Sequence, residues 1–326
     1  MTKARAVVLH RFGAPEVMQI ETYDLAAPGV GEVLMSQSAV GFNYIDIYQR
    51  SGVYPLPTPT GLGHEAAGVV EAVGPGVDSI RPGDRVAYMN AGLGAYTDKR
   101  IVPAAKLVKI PPAVSDEAAA ALLFKGMTAQ YLLRKTHVVQ PGEMIIVHAA
   151  AGGVGQILSS WGKALGAFVV GTAGSPEKCD VARTAGCDIA IDYSKPDWVE
   201  ALLEATSGRK ARVVYDSVGK TTFLQSLDLA VPFGLVVSYG AASGSAPEIT
   251  MDLLNKKGCL YVTRPSVFPH NADPAIFRAN AAELFAAIAS GAVRVDIGAR
   301  FELADIAEAH RAAEARATTG AILITP

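Results

Sequence analysis

The sequence predicts an α/β protein, with a β-rich domain and an inserted doubly wound, largely parallel sheet. Three observations carry that prediction. Residues 1 to about 124 hold short apolar runs separated by turns rich in Gly, Pro and Asp, such as Pro82-Gly83-Asp84. From Met144 to Thr263, apolar runs alternate with helical patterns. Between the first of these runs, Met144-Ile145-Ile146-Val147, and the helical pattern Gln156 to Leu165 lies Gly152-Gly153-Val154-Gly155. Strand, glycine turn and helix in that order suit a dinucleotide, because the backbone must turn sharply and approach a pyrophosphate. The helix N-terminus then offers free N–H groups and partial positive charge. Ala150 stands where the first glycine of that fingerprint usually stands.

Taken in order, Ala6-Val7-Val8-Leu9, Glu32-Val33-Leu34-Met35-Ser36, Gly68-Val69-Val70-Glu71-Ala72-Val73 and Asp84-Arg85-Val86-Ala87-Tyr88 read as strands. Their frequent punctuation predicts a compact, partly open barrel. Ser115-x-x-Ala118 opens an alanine-rich helix, with Asp116 and Glu117 where the helix dipole favours acids. A second helix is expected over Gly126 to Lys135. Phe168 to Thr172, Ile189 to Ile191, Arg212 to Asp216, Leu235 to Tyr239 and Cys259 to Thr263 continue the parallel strands. Helices are expected at Pro176 to Ala185, Trp198 to Thr206 and near Thr222 to Leu229. Pro in the first turn and Gly186 past the end mark the first of these. After Pro265 the alternation stops. A helix over about Asp273 to Ser290, a strand around Val293-Arg294-Val295, a helix over Leu303 to Ala315 and a strand over Ala321 to Ile324 remain. These pieces are too few for a third core, so they are expected to complete the first domain. The expected partition is 1–124 with 265–326, and 125–264.

The chain of 326 residues is long enough for two such cores. Half its residues are hydrophobic, 18% are charged and the formal net charge is −2. No Lys/Arg stripe is present, which argues against nucleic acid and anionic membrane as partners. The N-terminal Met1 to Gly13 lacks the apolar core of a signal peptide, and no apolar stretch reaches the ~20 residues of a membrane span. Three cysteines, Cys179, Cys187 and Cys259, do not make a disulfide framework, so a cytoplasmic setting is expected.

An NAD-binding unit usually ends its second strand on an acid that holds the ribose 2′-OH. Here that region reads Gly171-Thr172-Ala173-Gly174-Ser175-Pro176-Glu177-Lys178, with no acid at the strand end. Gly174, Ser175, Lys178 and a helix N-terminus suit a 2′-phosphate, which favours NADPH over NADH. Taken singly, Ser175 is equally an ordinary N-cap and Lys178 an ordinary helix lysine.

Gly61-Leu62-Gly63-His64-Glu65-Ala66-Ala67-Gly68-Val69-Val70, with the order of elements above, resembles the medium-chain dehydrogenase/reductase superfamily. Zinc alcohol dehydrogenases of that family draw one zinc ligand from a Gly-His-Glu motif and another from the cysteine of Gly-x-Cys-x-x-Asp. This chain has Gly41-Phe42-Asn43-Tyr44-Ile45-Asp46, with Asn43 in place of the cysteine. The stretch Phe124-Lys125-Gly126 supplies no third ligand, and a catalytic zinc wants three. His64 is therefore expected to be a hydrogen-bonded structural histidine, and no metal is expected.

Further blocks bring the resemblance to the zinc-free quinone oxidoreductase branch, which includes zeta-crystallin. They are Arg50 to Pro55, Lys125 to Ala129, His148 to Gly155, Val214 to Gly219, Tyr261 to Ser266 and Arg316-Ala317-Thr318. The resemblance implies a GroES-like catalytic domain carrying an inserted Rossmann-type domain. It implies that Gly152, Gly153 and Val154 hold the pyrophosphate. Gly174, Ser175, Lys178, Tyr193 and Arg316 would surround the 2′-phosphate and adenosine. Thr128, Tyr131, Ser217, Tyr239, Ala241 and Pro265 would line the cofactor cleft. Asn43, Asp46, Tyr48 and Tyr54 would lie where nicotinamide and substrate meet, with Asn43, Tyr48 and Tyr54 as the catalytic set. Tyr48 and Tyr54 equally suit core aromatics, and Asp46 a cap.

The implied reaction is reduction of a quinone by NADPH without a metal, with hydrogen bonds from Asn43 and Tyr48 or Tyr54 to developing negative oxygen. An NADPH-dependent enone or enal reductase is the alternative within the fold. A nucleotide-binding structural protein of the crystallin kind, or a weak RNA binder, is the alternative of another class. The resemblance also implies a homodimer joined at the sheet edge near Cys259 to Thr263.

Overall fold

The computed structural model describes residues 2–326 and divides into two compact units. The first comprises residues 2–127, His270–Ala289 and Asp296–Pro326, and the second Thr128–Pro269 and Ser290–Val295. The chain opens with strands β1 (Thr2–Leu9), β2 (Met18–Leu25) and β3 (Glu32–Gly41), then helix α1 (Tyr44–Arg50). Strands β4 (Thr60–Gly61), β5 (Glu65–Val73), β6 (Arg85–Met89), β7 (Lys99–Pro103) and β8 (Leu107–Lys109) follow, ahead of helix α2 (Asp116–Tyr131). The inserted section alternates β9 (Met144–Val147), α3 (Gly153–Ala164), β10 (Phe168–Ala173), α4 (Pro176–Thr184), β11 (Ile189–Asp192), α5 (Trp198–Ala205), β12 (Ala211–Asp216), α6 (Phe223–Leu229), β13 (Ala230–Ser238), α7 (Met251–Lys256) and β14 (Tyr261–Thr263). Helices α8 (Val267–His270) and α9 (Pro274–Ala289), strand β15 (Ile297–Glu302), helix α10 (Ile306–Glu314) and strand β16 (Ala321–Thr325) end it.

In the first unit β3 is the hub. It pairs antiparallel with β5, β7 and β16, and the sheet runs β15-β16-β3-β5-β6-β8. The C-terminal strand β16 thus joins the N-terminal sheet, Leu323 opposite Gly41 and Ile324 opposite Val40. A second, three-stranded sheet runs β2-β1-β4. Val33, Met35, Val40, Val70, Val86 and Tyr88 pack inward with Leu303, Ile306 and Ile324 from the C-terminal segment. Burying each such aliphatic side chain contributes roughly 1.5–3 kcal/mol over leaving it exposed.

The second unit is a six-stranded, wholly parallel sheet in the order β11-β10-β9-β12-β13-β14. Met144 to Val147 are all buried, as expected for a strand covered on both faces. The order reverses at β9, which makes the ends of β9, β10 and β12 the place where an open α/β sheet takes a ligand.

Several elements, β2, β7, β8 and α7 among them, are not expected from the sequence, and three further differences have a local physical reason. The helix expected from Gly126 is continuous with the one before it, α2 running to Tyr131 and ending in a π turn over Leu132–Thr136. Gly126 does not break the helix; its bare backbone admits Leu284, whose Cδ1 would lie 2.5 Å from a Cβ there. Residues Val293 to Val295 form no strand. Val293 is buried and the Arg294 N–H is taken by Ser160 Oγ at 3.1 Å, so the strand starts at Ile297 instead. Helix α1 has no counterpart among the elements expected from the sequence.

Candidate functional site

The predicted residues fall into two groups, one in each unit. In the second unit the β9–α3 turn is built on a division of labour. Ala149 takes the left-handed conformation, with φ of 52°. The Ala150 N–H is held by Thr172 O at 2.9 Å, and Gly152 N–H closes the turn on Ala149 O at 2.9 Å. Gly155 is required by packing, because a Cβ there would sit 2.3 Å from Ala149 O and 2.7 Å from Ala150 Cα. Gly152 is the N-cap of α3, and the first helical bond runs from Gln156 N to Gly152 O at 2.8 Å. The N–H groups of Gly153, Val154 and Gly155 therefore precede the helical ladder. Gly152, Gly153 and Val154 are half-buried, whereas Ala151 and Gly155 on either side are buried. A tight, half-buried turn with N–H groups ahead of the helical ladder fits an anionic pyrophosphate.

Beneath the turn lies a buried polar network that sequence reasoning missed. His148, fully buried, has Nδ1 2.7 Å from Thr172 Oγ1 and Nε2 3.0 Å from Ser226 Oγ. Ser226 donates in turn to Asp216 Oδ2 at 2.9 Å. Asp216, also fully buried, accepts from the N–H groups of Val218 and Gly219 at 2.8 and 2.9 Å and from Thr222 Oγ1. One carboxylate thus shapes the Ser217-Val218-Gly219 turn, and His148 ties the ends of β9, β10 and α6 together. Burial pushes the His148 imidazole pKa down, which favours the neutral ring. The signal in the sequence is an acid ending an apolar strand, Val213-Val214-Tyr215-Asp216, just before a Gly-containing turn.

The other predicted cofactor residues of this unit take these places. Ser217 and Gly240 are in close contact, a Cβ on Gly240 lying 2.6 Å from Ser217 O, and Ala241 adjoins Gly219. The Tyr239 hydroxyl is buried beside that of Ser217, and burial raises its pKa. Tyr131 is buried near Tyr239 and raised in the same way. Thr128 is buried in α2, and Pro265 is half-buried after β14. Ser175 is the N-cap of α4, its Oγ accepting from Lys178 N at 3.3 Å. Its hydroxyl also holds the exposed Glu177 carboxyl below its usual range. Gly174 adjoins Tyr193, whose hydroxyl would lie 3.5 Å from a Cβ placed on the glycine.

In the first unit Asn43 caps α1. Its backbone N–H is held by Asp46 Oδ2 at 2.9 Å and its side-chain Nδ2 donates to Glu65 Oε1 at 2.7 Å. Glu65 also accepts from Lys125 Nζ at 3.0 Å and from the Phe124 N–H at 2.6 Å. Asp46 is fully buried, and its Oδ2 accepts from the Tyr96 hydroxyl at 2.7 Å. Burial pushes its pKa up to about 7, and it serves as the cap that fixes Asn43. Tyr44, Tyr48 and Tyr54 form a ladder of edge-on rings, 5.3 and 5.2 Å between successive centroids. Arg316 is exposed, has φ of 54°, and its charge acts on Tyr44.

His64 is buried, with Nε2 3.0 Å from Gln49 Oε1 and its ring 5.6 Å from that of Phe124. Desolvation pushes its pKa down to about 4, so it is neutral at pH 7. Among the described residues no group of three or more His, Cys, Asp or Glu is placed to hold a metal ion.

Comparison with known proteins places this geometry. The alcohol dehydrogenase GroES-like domain family matches residues 29–112, and the zinc-binding dehydrogenase family matches residues 153–272. A quinone oxidoreductase of Pseudomonas aeruginosa is 46% identical, covering 99% of this chain and 100% of its own. The crystal structure of Escherichia coli quinone oxidoreductase complexed with NADPH superposes with a TM-score of 0.95 at 45% identity, over 99% of this chain and 100% of that one. A 2-haloacrylate reductase of Burkholderia is 40% identical over 98% of both chains. Similarity of this extent, running through both units, makes the chain a member of the quinone oxidoreductase branch of the medium-chain dehydrogenase/reductase superfamily.

Proposed function

We propose that the protein is an NADPH-dependent quinone reductase. The observation that carries the reading is the β9–α3 turn, whose N–H groups ahead of the helical ladder and underlying network suit a pyrophosphate, in a chain 45–47% identical to quinone oxidoreductases over nearly its whole length. The E. coli relative solved with NADPH supports the same nucleotide, as does the lack of an acid in the sequence at the end of β10.

The residues are assigned as follows. Gly152, Gly153 and Val154 bind the pyrophosphate. Gly174, Ser175, Lys178, Tyr193 and Arg316 bind the 2′-phosphate and adenosine. Thr128, Tyr131, Ser217 and Pro265 line the cofactor cleft, with Tyr239 and Ala241 near the nicotinamide half, and Asn43, Tyr48 and Tyr54 meet the substrate. Bound there, the reduced nicotinamide supplies two electrons and one proton to the acceptor. The second proton that a hydroquinone needs is taken from solvent as the reduced acceptor leaves the site. The protein's task is to orient the acceptor ring, keep water away and supply hydrogen bonds to its oxygens. The Tyr48 and Tyr54 hydroxyls are the donors for this.

The same site suits an activated alkene, and the Burkholderia relative, a 2-haloacrylate reductase, favours that second reading. A homodimer through the free edge of β14 and a cytoplasmic location belong to the proposal. Strand β14 is the last of its sheet and Tyr261 is 62% exposed there. No helix of the described residues is long and apolar enough to cross a membrane.

A side-by-side assay tests the function. Oxidation of NADPH and of NADH is followed with 1,4-benzoquinone, 9,10-phenanthrenequinone and 2-alkenals. Fast NADPH oxidation by quinones is expected. Preference for alkenals would move the assignment to the alkene reductase, and tight NADPH binding with no turnover on any acceptor would leave a structural nucleotide-binding protein.

A further inference from the structure

We infer that Glu65 and Lys125 are positioning residues that fix the polarity of the Asn43 side chain, so that its carbonyl oxygen Oδ1 is set as a hydrogen-bond acceptor away from Glu65. The inference rests on the placement of Asn43 in the substrate site proposed above. A carboxylate only accepts, while a primary amide carries two donor hydrogens on nitrogen and two lone pairs on oxygen. Glu65 is fully buried at the start of β5 and Lys125 is 6% exposed. Glu65 Oε1 receives Asn43 Nδ2 at 2.7 Å and Lys125 Nζ at 3.0 Å, and Oε2 receives the Phe124 N–H at 2.6 Å. Lys125 Nζ and Glu65 Oε1 form a buried ion pair. Inverting the Asn43 amide would set its Oδ1 against Glu65 Oε1, two acceptors in a buried place where such a clash is costly.

The backbone of Asn43 is held equally. Its N–H goes to Asp46 Oδ2 at 2.9 Å, and the N–H of Phe42 before it goes to Ile322 O at 3.2 Å. Gly41 makes room for the arrangement. A Cβ there would lie 2.4 Å from Glu65 Oε1 and 2.2 Å from Ala120 O. Space for the carboxylate is therefore built into the sequence two residues before Asn43. The chemical consequence is definite. The position occupied by Oδ1 recognises a donor, such as the NH2 of a carboxamide or the O–H of a reduced acceptor. The oxygen of a quinone, which has only lone pairs, is left to the Tyr48 and Tyr54 hydroxyls.

Three variants of the full chain test this: Glu65→Gln, Asn43→Asp and the double change, with Asn43→Ala as the reference. Turnover and KM for a quinone, NADPH affinity and melting temperature are measured for each, at a temperature where the variant is folded. Glu65→Gln removes the carboxylate that holds Asn43 Nδ2 and leaves the amide only its capping contact with the N–H of Asp46, so kcat/KM for the quinone is expected to fall roughly tenfold to hundredfold. Its NADPH melting shift should still be visible. Asn43→Asp sets two carboxylates on one lysine and should be worse. The double variant restores one carboxylate and one amide, with an acceptor oxygen again in the place of Oδ1. It should regain at least roughly tenfold in kcat/KM over Asn43→Asp. A merely structural ion pair would restore melting temperature in the double variant without restoring kcat/KM, and that result overturns the inference. So does a Glu65→Gln enzyme equal to wild type while Asn43→Ala is impaired. Should Asn43→Ala itself be fully active, the fault lies in the site assignment instead, and the inference falls with it. If Glu65→Gln does not fold, the wild-type protein decides. One proton of the Asn43 NH2, assigned by its loss in Asn43→Asp, should show the downfield NMR shift of a carboxylate hydrogen bond; an ordinary primary-amide shift overturns the inference.

Discussion

Under the proposed assignment, nucleotide choice falls to single residues after β10. Ser175 does two local jobs, capping α4 through Lys178 N and hydrogen-bonding Glu177. It is therefore as much an N-cap as a phosphate ligand. The exposed Glu177 carboxylate lies in the same first turn and opposes a second negative group. Discrimination, as proposed, then rests chiefly on Lys178 and on what is missing at Gly174. Lys178→Ala should weaken NADPH binding roughly threefold to tenfold while leaving NADH nearly unchanged, a range set by one partly solvated charge against a phosphate. Gly174 offers the converse change. A Cβ there meets only the Tyr193 ring at ordinary contact distances, 3.5 Å and beyond, so a side chain fits. Gly174→Asp supplies the missing acid and should move the ratio of the two dissociation constants toward NADH by roughly tenfold or more. Calorimetric titration of both nucleotides reads the ratio. An unchanged ratio in both variants would locate the 2′-phosphate elsewhere.

At the scale of elements, legibility follows the range of the forces involved. The central strands of the second unit, β9, β10 and β12, are readable because a parallel strand covered on both faces must be continuously apolar. The glycine turn after β9 is readable because a close approach excludes side chains, although Gly155 proves to serve packing within the turn. Helix α1 is not readable. Its seven residues, Tyr44-Ile45-Asp46-Ile47-Tyr48-Gln49-Arg50, are rich in β-branched and aromatic types, and its N-terminus is fixed by distant residues. Glu65 and Tyr96, which grip Asn43 and Asp46, lie 22 and 50 positions away. His148 and Ser226, 78 apart, escape for the same reason. The cap of α1 gives a pH dependence. Asp46 Oδ1 is buried without a hydrogen bond and the carboxyl is raised to about 7, whereas unfolded it titrates near ~4. Between those values the folded state holds a proton that the unfolded chain has lost. The stability this group contributes is complete below pH ~4 and is lost as pH rises towards 7, by an amount of order a few kcal/mol. Lys125, Glu65, the Tyr96 hydroxyl and the Asn43 N–H face the same carboxyl and are unchanged by Asp46→Asn. His64 and His310, lowered to about 4 and about 3, act with the opposite sign and cancel in a comparison of the two proteins. Asp46→Asn should therefore gain on wild type as pH rises from 5 to 8 in denaturant melts. Parallel pH curves would show that Asp46 keeps an ordinary acidity.

At the scale of the whole molecule, the remaining question is what covers β14. A terminal strand presents unpaired N–H and C=O groups, and soluble proteins cover, charge or shorten such edges. Strand β14 is short, at three residues, but it carries the exposed Tyr261 and no charge of its own. Pairing with the same edge of a second copy about a two-fold axis removes the exposure at once, since an isologous contact satisfies both strands together. The protein should therefore run at twice the chain mass in light scattering. Tyr261→Lys places like charges across that axis and should yield monomers at micromolar concentration. NADPH binding per chain should survive, because β14 lies three strands from β9 in the sheet order and the β9–α3 turn draws its supports from β9, β10, β12 and α6. A Tyr261→Lys protein that remains dimeric would locate the interface on another surface. A monomeric wild type would leave β14 protected by its shortness alone, and a monomeric variant that also loses NADPH would show that the nucleotide turn depends on the partner copy.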